Sequence, residues 1–303
     1  MESGMRTPFT GVGTALVTPF TKPGALDEAA VRRLARRQID AGVHFLCPCG
    51  TTGENPTLTD TERVRIVEIL VDEAHGAVPI LAGAGGYDTK EVIHTAELMR
   101  AAGAAGLLSV APYYNKPSQE GLYQHYKTIA EHTPLPIIVY NVPGRTGVNV
   151  EVATLARLAP IPNIVGVKEA SGNVTQMCEI CRAVPEHFIV LSGDDALTLP
   201  LMAIGGRGII SVASNEIPAE MVAMVEAAER GDFAAARAIH TRILPLMLGN
   251  FIEANPIPVK SAMAAMGLLD EHYRLPMCPP KAESRQKLVD ILKELGLLKA
   301  AFA

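Results

Sequence analysis

Short runs of β-branched residues alternate with amphipathic segments along the chain as far as about residue 230. Eight of these runs are predicted to be strands, at residues 14–18, 44–47, 79–83, 106–110, 136–140, 164–168, 188–192 and 208–212. Between them the apolar residues have helical spacing, and Thr59 with Glu62 and Asp88 with Glu91 each match a capping box. Alternating strands and helices favour parallel strands with crossover helices, and eight such units close a barrel. The sequence therefore predicts an α/β fold of the (β/α)8 TIM-barrel type.

The rival fold is an open doubly wound sheet, which usually carries a glycine-rich nucleotide-binding turn after its first strand. Here that strand leads into residues 19–23, PFTKP, and the chain has neither G-x-G-x-x-G nor a P-loop. After residue 230 the strand signals stop, and helices are predicted at residues 232–249, 256–266 and 281–295. Residues 1–230 are therefore expected to form the barrel with the active site, and residues 231–303 a C-terminal helical extension, packed on the barrel or used in assembly.

Charge and hydropathy limit the partners and the compartment. The net charge is −5 and the pI about 5.9, whereas nucleic-acid-binding domains are usually clearly basic. No apolar run reaches the roughly 20 residues of a membrane span. Residues 1–6 carry no signal-peptide core. These features predict a cytoplasmic enzyme with no nucleic-acid or membrane partner.

The five cysteines and eight histidines are the candidate metal ligands. Cys178 and Cys181 have C-x-x-C spacing and Cys47 and Cys49 form a close pair, so a zinc or redox site is an alternative. It is disfavoured because the C-x-x-C lies in a helical pattern, not at the strand-to-helix turn of a redox motif. Since no two histidines form a ligand pair at the strand ends, no metal site is expected.

Chemistry in a barrel of this type occurs at the C-terminal ends of the strands. Lys168 ends the sixth predicted strand, where a desolvated amine could form a Schiff base with a carbonyl substrate. Tyr140 ends the fifth strand and could move protons for it. The alternatives are a solvated lysine paired with Glu169 and a core tyrosine. The position of both residues at successive strand ends favours the catalytic interpretation.

Groups that bind carboxylates follow two of the strands. Thr51 and Thr52 stand between glycines after the second strand, which leaves hydroxyl and backbone N–H groups available. Arg145 follows the fifth strand and could clamp a carboxylate through two N–H groups. Asp194 and Asp195 follow the seventh strand, where their charge would repel a phosphate. An unphosphorylated substrate that carries a carboxylate is therefore favoured.

Five motifs, in order, resemble the 4-hydroxy-tetrahydrodipicolinate synthase (dihydrodipicolinate synthase) family of pyruvate-dependent class I aldolases, over nearly the whole chain. They are GTTGE at residues 50–54, YYNKP at 113–117, YNVPGRTG at 140–147, VKEA at 167–170 and SGDD at 192–195. The resemblance implies condensation of pyruvate with L-aspartate-4-semialdehyde, in the diaminopimelate and lysine pathway. It also implies a homotetramer, a dimer of dimers, that works without a metal or organic cofactor.

The resemblance also implies catalytic roles. Lys168 would form the covalent Schiff base with pyruvate. Tyr140 would act as the acid and base, with its proton relayed through Thr52 to Tyr114. Because the family contributes the residue at Tyr114 across the dimer interface, this tyrosine would serve the site of a neighbouring subunit.

Substrate-binding roles follow from the same resemblance. Thr51 and Thr52 would hold the pyruvate carboxylate, Arg145 the carboxylate of the semialdehyde, and the backbones of Gly193 and Ile210 would line the pocket. The similar N-acetylneuraminate lyases have an apolar residue in place of Arg145, which favours the synthase. The alternatives are another pyruvate-dependent aldolase of sugar-acid or hydroxy-oxoglutarate type, a non-catalytic barrel that binds a small carboxylate, and an assembly protein.

Part of the family is inhibited by L-lysine at a site on the dimer interface. The matching positions here are mixed. Tyr113 and Glu91 agree with the lysine-binding pattern. The positions that depart from it are Asn55, Pro56, Asp60, Arg63 and Tyr87. The resemblance therefore implies weak or absent inhibition by lysine.

Overall fold

Eight parallel strands form one sheet in the computed structural model, which describes residues 8–298. The strands are β1 Gly11–Ala15, β2 Phe45–Cys47, β3 Leu81–Gly83, β4 Gly106–Val110, β5 Ile137–Asn141, β6 Ile164–Glu169, β7 Ile189–Ser192 and β8 Gly208–Ser211. Their order is β2-β1-β8-β7-β6-β5-β4-β3, and a parallel bridge between Leu46 and Ile80 joins β2 to β3 and closes the ring. The predicted TIM barrel is confirmed. Residues 1–7 and 299–303, the two ends of the predicted regions, lie outside the described range.

The helices alternate with the strands and then continue alone. They are α1 Glu28–Asp40, α2 Asp60–Ala74, α3 Thr89–Ala101, α4 Gln119–Glu131, α5 Pro143–Thr146, α6 Val152–Leu158, α7 Val174–Ala183, α8 Thr198–Ala203, α9 Pro218–Glu229, α10 Phe233–Gly249, α11 Ile257–Ala265 and α12 Ala282–Glu294. Thr59 and Glu62 form the predicted capping box of α2. Asp88 caps α3 through the backbone N–H of Lys90. In residues 8–298 no helix is long and apolar enough to cross a membrane.

The first strand begins earlier than its sequence pattern predicts. The pattern predicts residues 14–18, but the strand is Gly11–Ala15. Two glycines make its first half resemble a loop, since glycine is unfavourable in strand interiors. Packing requires Gly13 here, because a Cβ at this position would lie 2.0 Å from the Phe45 ring.

Two apolar layers hold the barrel together. One fills the barrel interior and includes Phe45, Leu81, Ile138, Leu191 and Ile210. The larger layer lies between the outer faces of the strands and the surrounding helices. Because successive side chains of a strand point to opposite faces, each strand contributes to both layers. The polar residues at the upper ends of the inner layer therefore face the barrel mouth.

The C-terminal helices pack back onto the barrel. Helix α10 contacts α9, and α11 contacts the turn after β8. The Lys260 Nζ atom on α11 lies 2.5 Å from the Glu54 Oε1 atom, and both side chains are buried. The proposed division at residue 230 falls between α9 and α10 and stays a prediction. A buried ion pair nevertheless ties the extension to the loop after β2.

Candidate active site

Lys168 and Tyr140 face each other at the mouth of the barrel. The register between β5 and β6 places them directly opposite. The Lys168 Nζ atom lies 4.2 Å from the centroid of the Tyr140 ring, a cation–π distance. The two residues are only 5% and 6% exposed. The strand-end lysine is therefore buried against an aromatic ring and is not solvated.

The alternative interpretation required an ion pair between Glu169 and Lys168, and this pair is not formed. The Glu169 carboxylate accepts hydrogen bonds from the Asn141 side chain at 2.9 Å and from the backbone N–H of Ser171 at 2.7 Å. Asn141 lies opposite it in the register. Within residues 8–298 the Lys168 amine forms no ion pair. A buried amine that lies against an aromatic ring and has no carboxylate partner is suited to attack a carbonyl carbon.

Gly193 makes room for the lysine side chain. A Cβ at this position would lie 3.0 Å from Lys168 Cε and 2.6 Å from the Ala170 Cβ atom. Ile210 on β8 is fully buried in the inner apolar layer. Neither residue is among the described residues that line the main cavity, so their role in lining the substrate pocket stays a prediction.

The loop after β2 presents unused backbone donors. In the described chain the N–H groups of Thr51 and Thr52 donate no hydrogen bond, whereas those of Gly53 and Glu54 bond back to Gly50 and Thr51 at 3.1 Å. Two free N–H groups beside two hydroxyls can bind a carboxylate. Cys49 and Glu54 bracket the loop with φ values of 57° and 54°, which are uncommon for residues other than glycine. Such backbone conformations occur often at functional sites.

Asn255, in the turn between α10 and α11, joins two predicted site residues. Its Nδ2 atom donates to Thr52 Oγ1 at 2.9 Å, and its backbone oxygen accepts from Arg145 Nη2 at 3.3 Å. Thr52 is 3% exposed, whereas Arg145 is exposed at the cavity rim. The local sequence pattern around Asn255 does not indicate this role.

A cavity of about 290 Å³ opens beside these residues. Tyr140, Thr51, Arg145 and Asn255 line it. Most of its remaining wall comes from the ends of β2 to β4 and from Pro276 and Met277 of the extension. The cavity has the size of a small-molecule site and combines an apolar wall with a few polar groups.

Tyr114 is exposed at the surface of the single chain and, like Lys168 and Thr52, is not among the described residues that line the cavity. It is 90% exposed with a φ of 70°. In the described residues no hydrogen bond links it to Thr52 or Tyr140, and it does not line the cavity. Its neighbour Tyr113 lines the cavity instead.

The sequence suggested that the Asp195 carboxylate faces the barrel mouth, but the side chain is buried instead. It is 1% exposed and accepts from the Ser211 hydroxyl at 2.5 Å and from the backbone N–H groups of Val212 and Ala213. Burial raises the pKa of its carboxyl group to about 6. Asp195 therefore joins the ends of β7 and β8 as a structural group.

A second cavity of about 210 Å³ lies next to the first. It is lined by six of the seven positions compared with the lysine-binding pattern: Asn55, Asp60, Arg63, Tyr87, Glu91 and Tyr113. Arg63 crosses it. The guanidinium donates to Asn55 Oδ1 at 2.9 Å and to Asp60 Oδ1 at 2.7 Å. The rings of Tyr87 and Tyr113 pack edge to face, with centroids 5.2 Å apart.

The cysteines and histidines form no metal centre in the described part of the chain, where no group of three or more His, Cys, Asp or Glu residues is suitably placed. Cys178 is exposed and Cys181 half-buried on α7, and both are free thiols. Burial raises the pKa of the Cys47 and Cys49 thiols to about 12. Those two thiols therefore stay protonated and pack as small apolar groups.

Comparison with known proteins places the chain among its relatives. A model of the Dihydrodipicolinate synthetase family matches residues 8–295. The 4-hydroxy-tetrahydrodipicolinate synthase of Koribacter versatilis (strain Ellin345) is 53% identical over 96% of this chain and 97% of that protein. The dihydrodipicolinate synthase structure from Thermotoga maritima is 44% identical, with a TM-score of 0.95 over 96% of this chain and 100% of that one. The chloride-inhibited enzyme from Acinetobacter baumannii, complexed with pyruvate, is 41% identical, with a TM-score of 0.94 over the same shares. The chain belongs to the dihydrodipicolinate synthetase family.

Proposed function

We propose that the protein is a 4-hydroxy-tetrahydrodipicolinate synthase that condenses pyruvate with L-aspartate-4-semialdehyde through a Schiff base on Lys168. The observation that carries this proposal is the buried Lys168 amine, without a carboxylate partner, beside the Tyr140 ring. The name and the 53% identity of the Koribacter relative support it.

The proposed chemistry uses the groups at the mouth in turn. The Lys168 amine attacks the keto carbon of pyruvate and water leaves, which gives an imine. Loss of a methyl proton then forms an enamine, whose carbon attacks the aldehyde carbon of the second substrate. The amino group of that substrate finally displaces Lys168 from the imine carbon and closes the ring. Since the imine itself accepts the electrons, we propose that no metal or organic cofactor takes part.

In this proposal, different polar groups bind each of the two substrates. The free N–H groups and hydroxyls of Thr51 and Thr52 bind the pyruvate carboxylate. Tyr140 transfers protons during imine and carbon–carbon bond formation. Arg145, at the cavity rim, binds the carboxylate of the semialdehyde.

Trapping with pyruvate tests the proposal. The wild-type protein is incubated with pyruvate, reduced with borohydride and digested, and the peptides are weighed. We expect one reduced pyruvyl group on Lys168, followed in a second assay by condensation with the semialdehyde. Absence of an adduct would remove the aldolase interpretation. An adduct without semialdehyde condensation, but with turnover of a sugar-acid aldehyde, would favour another aldolase of the superfamily.

Replacing Arg145 with alanine is expected to separate the two substrates. The Arg145→Ala variant should lose about 100-fold in kcat/KM for the semialdehyde, since charge-assisted hydrogen bonds to a carboxylate disappear. Its formation of the pyruvyl adduct should be little changed. Arg157→Ala, which removes an exposed arginine paired with Glu120, serves as the control. Equal loss for pyruvate and semialdehyde would count against this role of Arg145.

We also propose that the active protein is a homo-oligomer. Tyr114 is 90% exposed in one chain and Leu275 is 83% exposed, an unusual exposure for large apolar side chains. A second subunit could cover them and receive Tyr114 as the end of the proton relay from Tyr140 through Thr52. Sedimentation velocity distinguishes a monomer from a dimer or a tetramer, and a monomer with full activity would exclude a relay across subunits.

L-Lysine is expected to inhibit this protein weakly or not at all. In the second cavity the Arg63 guanidinium bonds to Asn55 and Asp60, so it occupies polar groups that could otherwise bind the ligand. Titration calorimetry and initial rates at increasing L-lysine concentration measure the effect. Half-inhibition at micromolar lysine would show that the cavity accepts lysine despite Arg63.

A further inference from the structure

We propose that Asn255 is a positioning residue, contributed by the C-terminal extension, that fixes the proton direction of the Thr52 hydroxyl and the place of Arg145. This inference rests on the proposed function, because it assigns a task within the same reaction. Asn255 lies 203 residues from Thr52 in the chain and is only 4% exposed.

The side-chain amide directs the threonine proton. A hydroxyl has one proton to donate and two lone pairs that accept. Asn255 Nδ2 donates to Thr52 Oγ1 at 2.9 Å, which occupies one lone pair. Since an amide NH₂ group cannot accept a proton, the Thr52 hydroxyl must donate elsewhere. Its proton therefore points away from Asn255, and its second lone pair stays free to accept from Tyr140 in the proposed relay.

The backbone of Asn255 extends the effect to the second substrate. Its carbonyl oxygen accepts from Arg145 Nη2 at 3.3 Å, and no other hydrogen bond holds that guanidinium in the described chain. The turn itself is anchored nearby, because Lys260 on α11 pairs with Glu54, two residues after Thr52. One rigid turn thus holds a member of the proton relay and the proposed carboxylate clamp.

The test compares Asn255→Asp with Asn255→Ala. The introduced carboxylate has nearly the shape of the amide, but it accepts the Thr52 proton. It therefore reverses the direction of the hydrogen bond, so that the Thr52 hydroxyl donates to residue 255. Both variants are expected to lose about 100-fold in condensation kcat, the scale of a misplaced catalytic group. Both should still reach full pyruvyl labelling of Lys168 at saturating pyruvate, which also reports that they fold.

A pH profile separates this role from packing. In the Asn255→Asp variant, lowering the pH protonates the introduced carboxyl group, which can then donate to Thr52, so relative activity should rise towards acid. The wild type and Asn255→Ala should show no such rise. The packing control is Tyr273→Phe, which removes a 2.9 Å hydrogen bond to the backbone oxygen of Ile257, at the start of α11, and should keep wild-type kcat.

The outcomes are distinguishable. If the wild type forms no adduct on Lys168, the proposed function fails and the inference fails with it. If the wild type condenses its substrates but Asn255→Asp is equally fast at neutral pH, only the inference is overturned. A loss no larger than that of Tyr273→Phe would also overturn it. If Asn255→Asp does not fold, a fall in kcat with full labelling in Asn255→Ala supports the inference, and unchanged kcat refutes it.

Discussion

The Lys168→Met variant is expected to form no reduced pyruvyl adduct and to lose condensation activity by about 10⁴-fold or more, the scale seen when a covalent nucleophile is removed. The reason is that no second amine can replace it. Among the described residues the other buried lysine, Lys260, is engaged by Glu54. The measurement is peptide mass after borohydride reduction, together with the initial rate of condensation.

Methionine is the informative replacement, because it keeps an unbranched apolar chain of similar length in a site that is 5% exposed. The close contact with Gly193 is then retained and the barrel should fold as before. Lys127→Met, at an exposed lysine paired with Glu131, controls for the general loss of an amine. An adduct of equal yield in Lys168→Met would show that another residue carries the Schiff base, and the assigned site would be wrong.

The sequence predicts the barrel, and it predicts that Lys168 and Tyr140 lie at neighbouring strand ends. Periodicity identifies eight strands, and the end of each strand is a known place for chemistry, so Lys168 and Tyr140 can be paired from the sequence alone. Their register, Tyr140 opposite Lys168, agrees with that prediction. The first strand is misplaced because Gly11 and Gly13 hide its pattern. Only the Phe45 ring, which belongs to the neighbouring strand β2, explains why glycine stands at position 13.

The contacts between the C-terminal extension and the loop after β2 cannot be predicted from local sequence patterns. The bond between Asn255 and Thr52 joins residues 203 apart, and the pair of Lys260 and Glu54 joins residues 206 apart. Hydrophobic periodicity reports which face of an element is buried, but not which distant polar group meets it. Asp195 shows the same limit, since its sequence position suggests a charge facing substrate and the structure buries it against Ser211.

The Lys260→Met variant is expected to lose about 3–5 kcal/mol of unfolding free energy, the cost of breaking a buried ion pair from one side. The Lys260 Nζ atom lies 2.5 Å from Glu54 Oε1 and 3.0 Å from the Thr18 carbonyl oxygen, in full burial. Methionine would fill most of the space but leave the Glu54 carboxylate without a counter-ion. Denaturant unfolding followed by circular dichroism gives the loss, since the midpoint shifts with stability.

Two comparisons decide whether the buried charge is the cause. Lys127→Met removes one partner of an exposed pair and should cost no more than about 0.5 kcal/mol. The double variant Glu54→Gln with Lys260→Met removes the stranded charge and should recover part of the loss, because a neutral pair needs no counter-ion. Glu54 follows Thr52 by two residues, so Lys260→Met should also lower condensation activity in the protein that remains folded. If Lys260→Met is as stable as Lys127→Met, the ion pair does not hold the extension to the loop after β2, and the anchored turn that positions Asn255 loses its support.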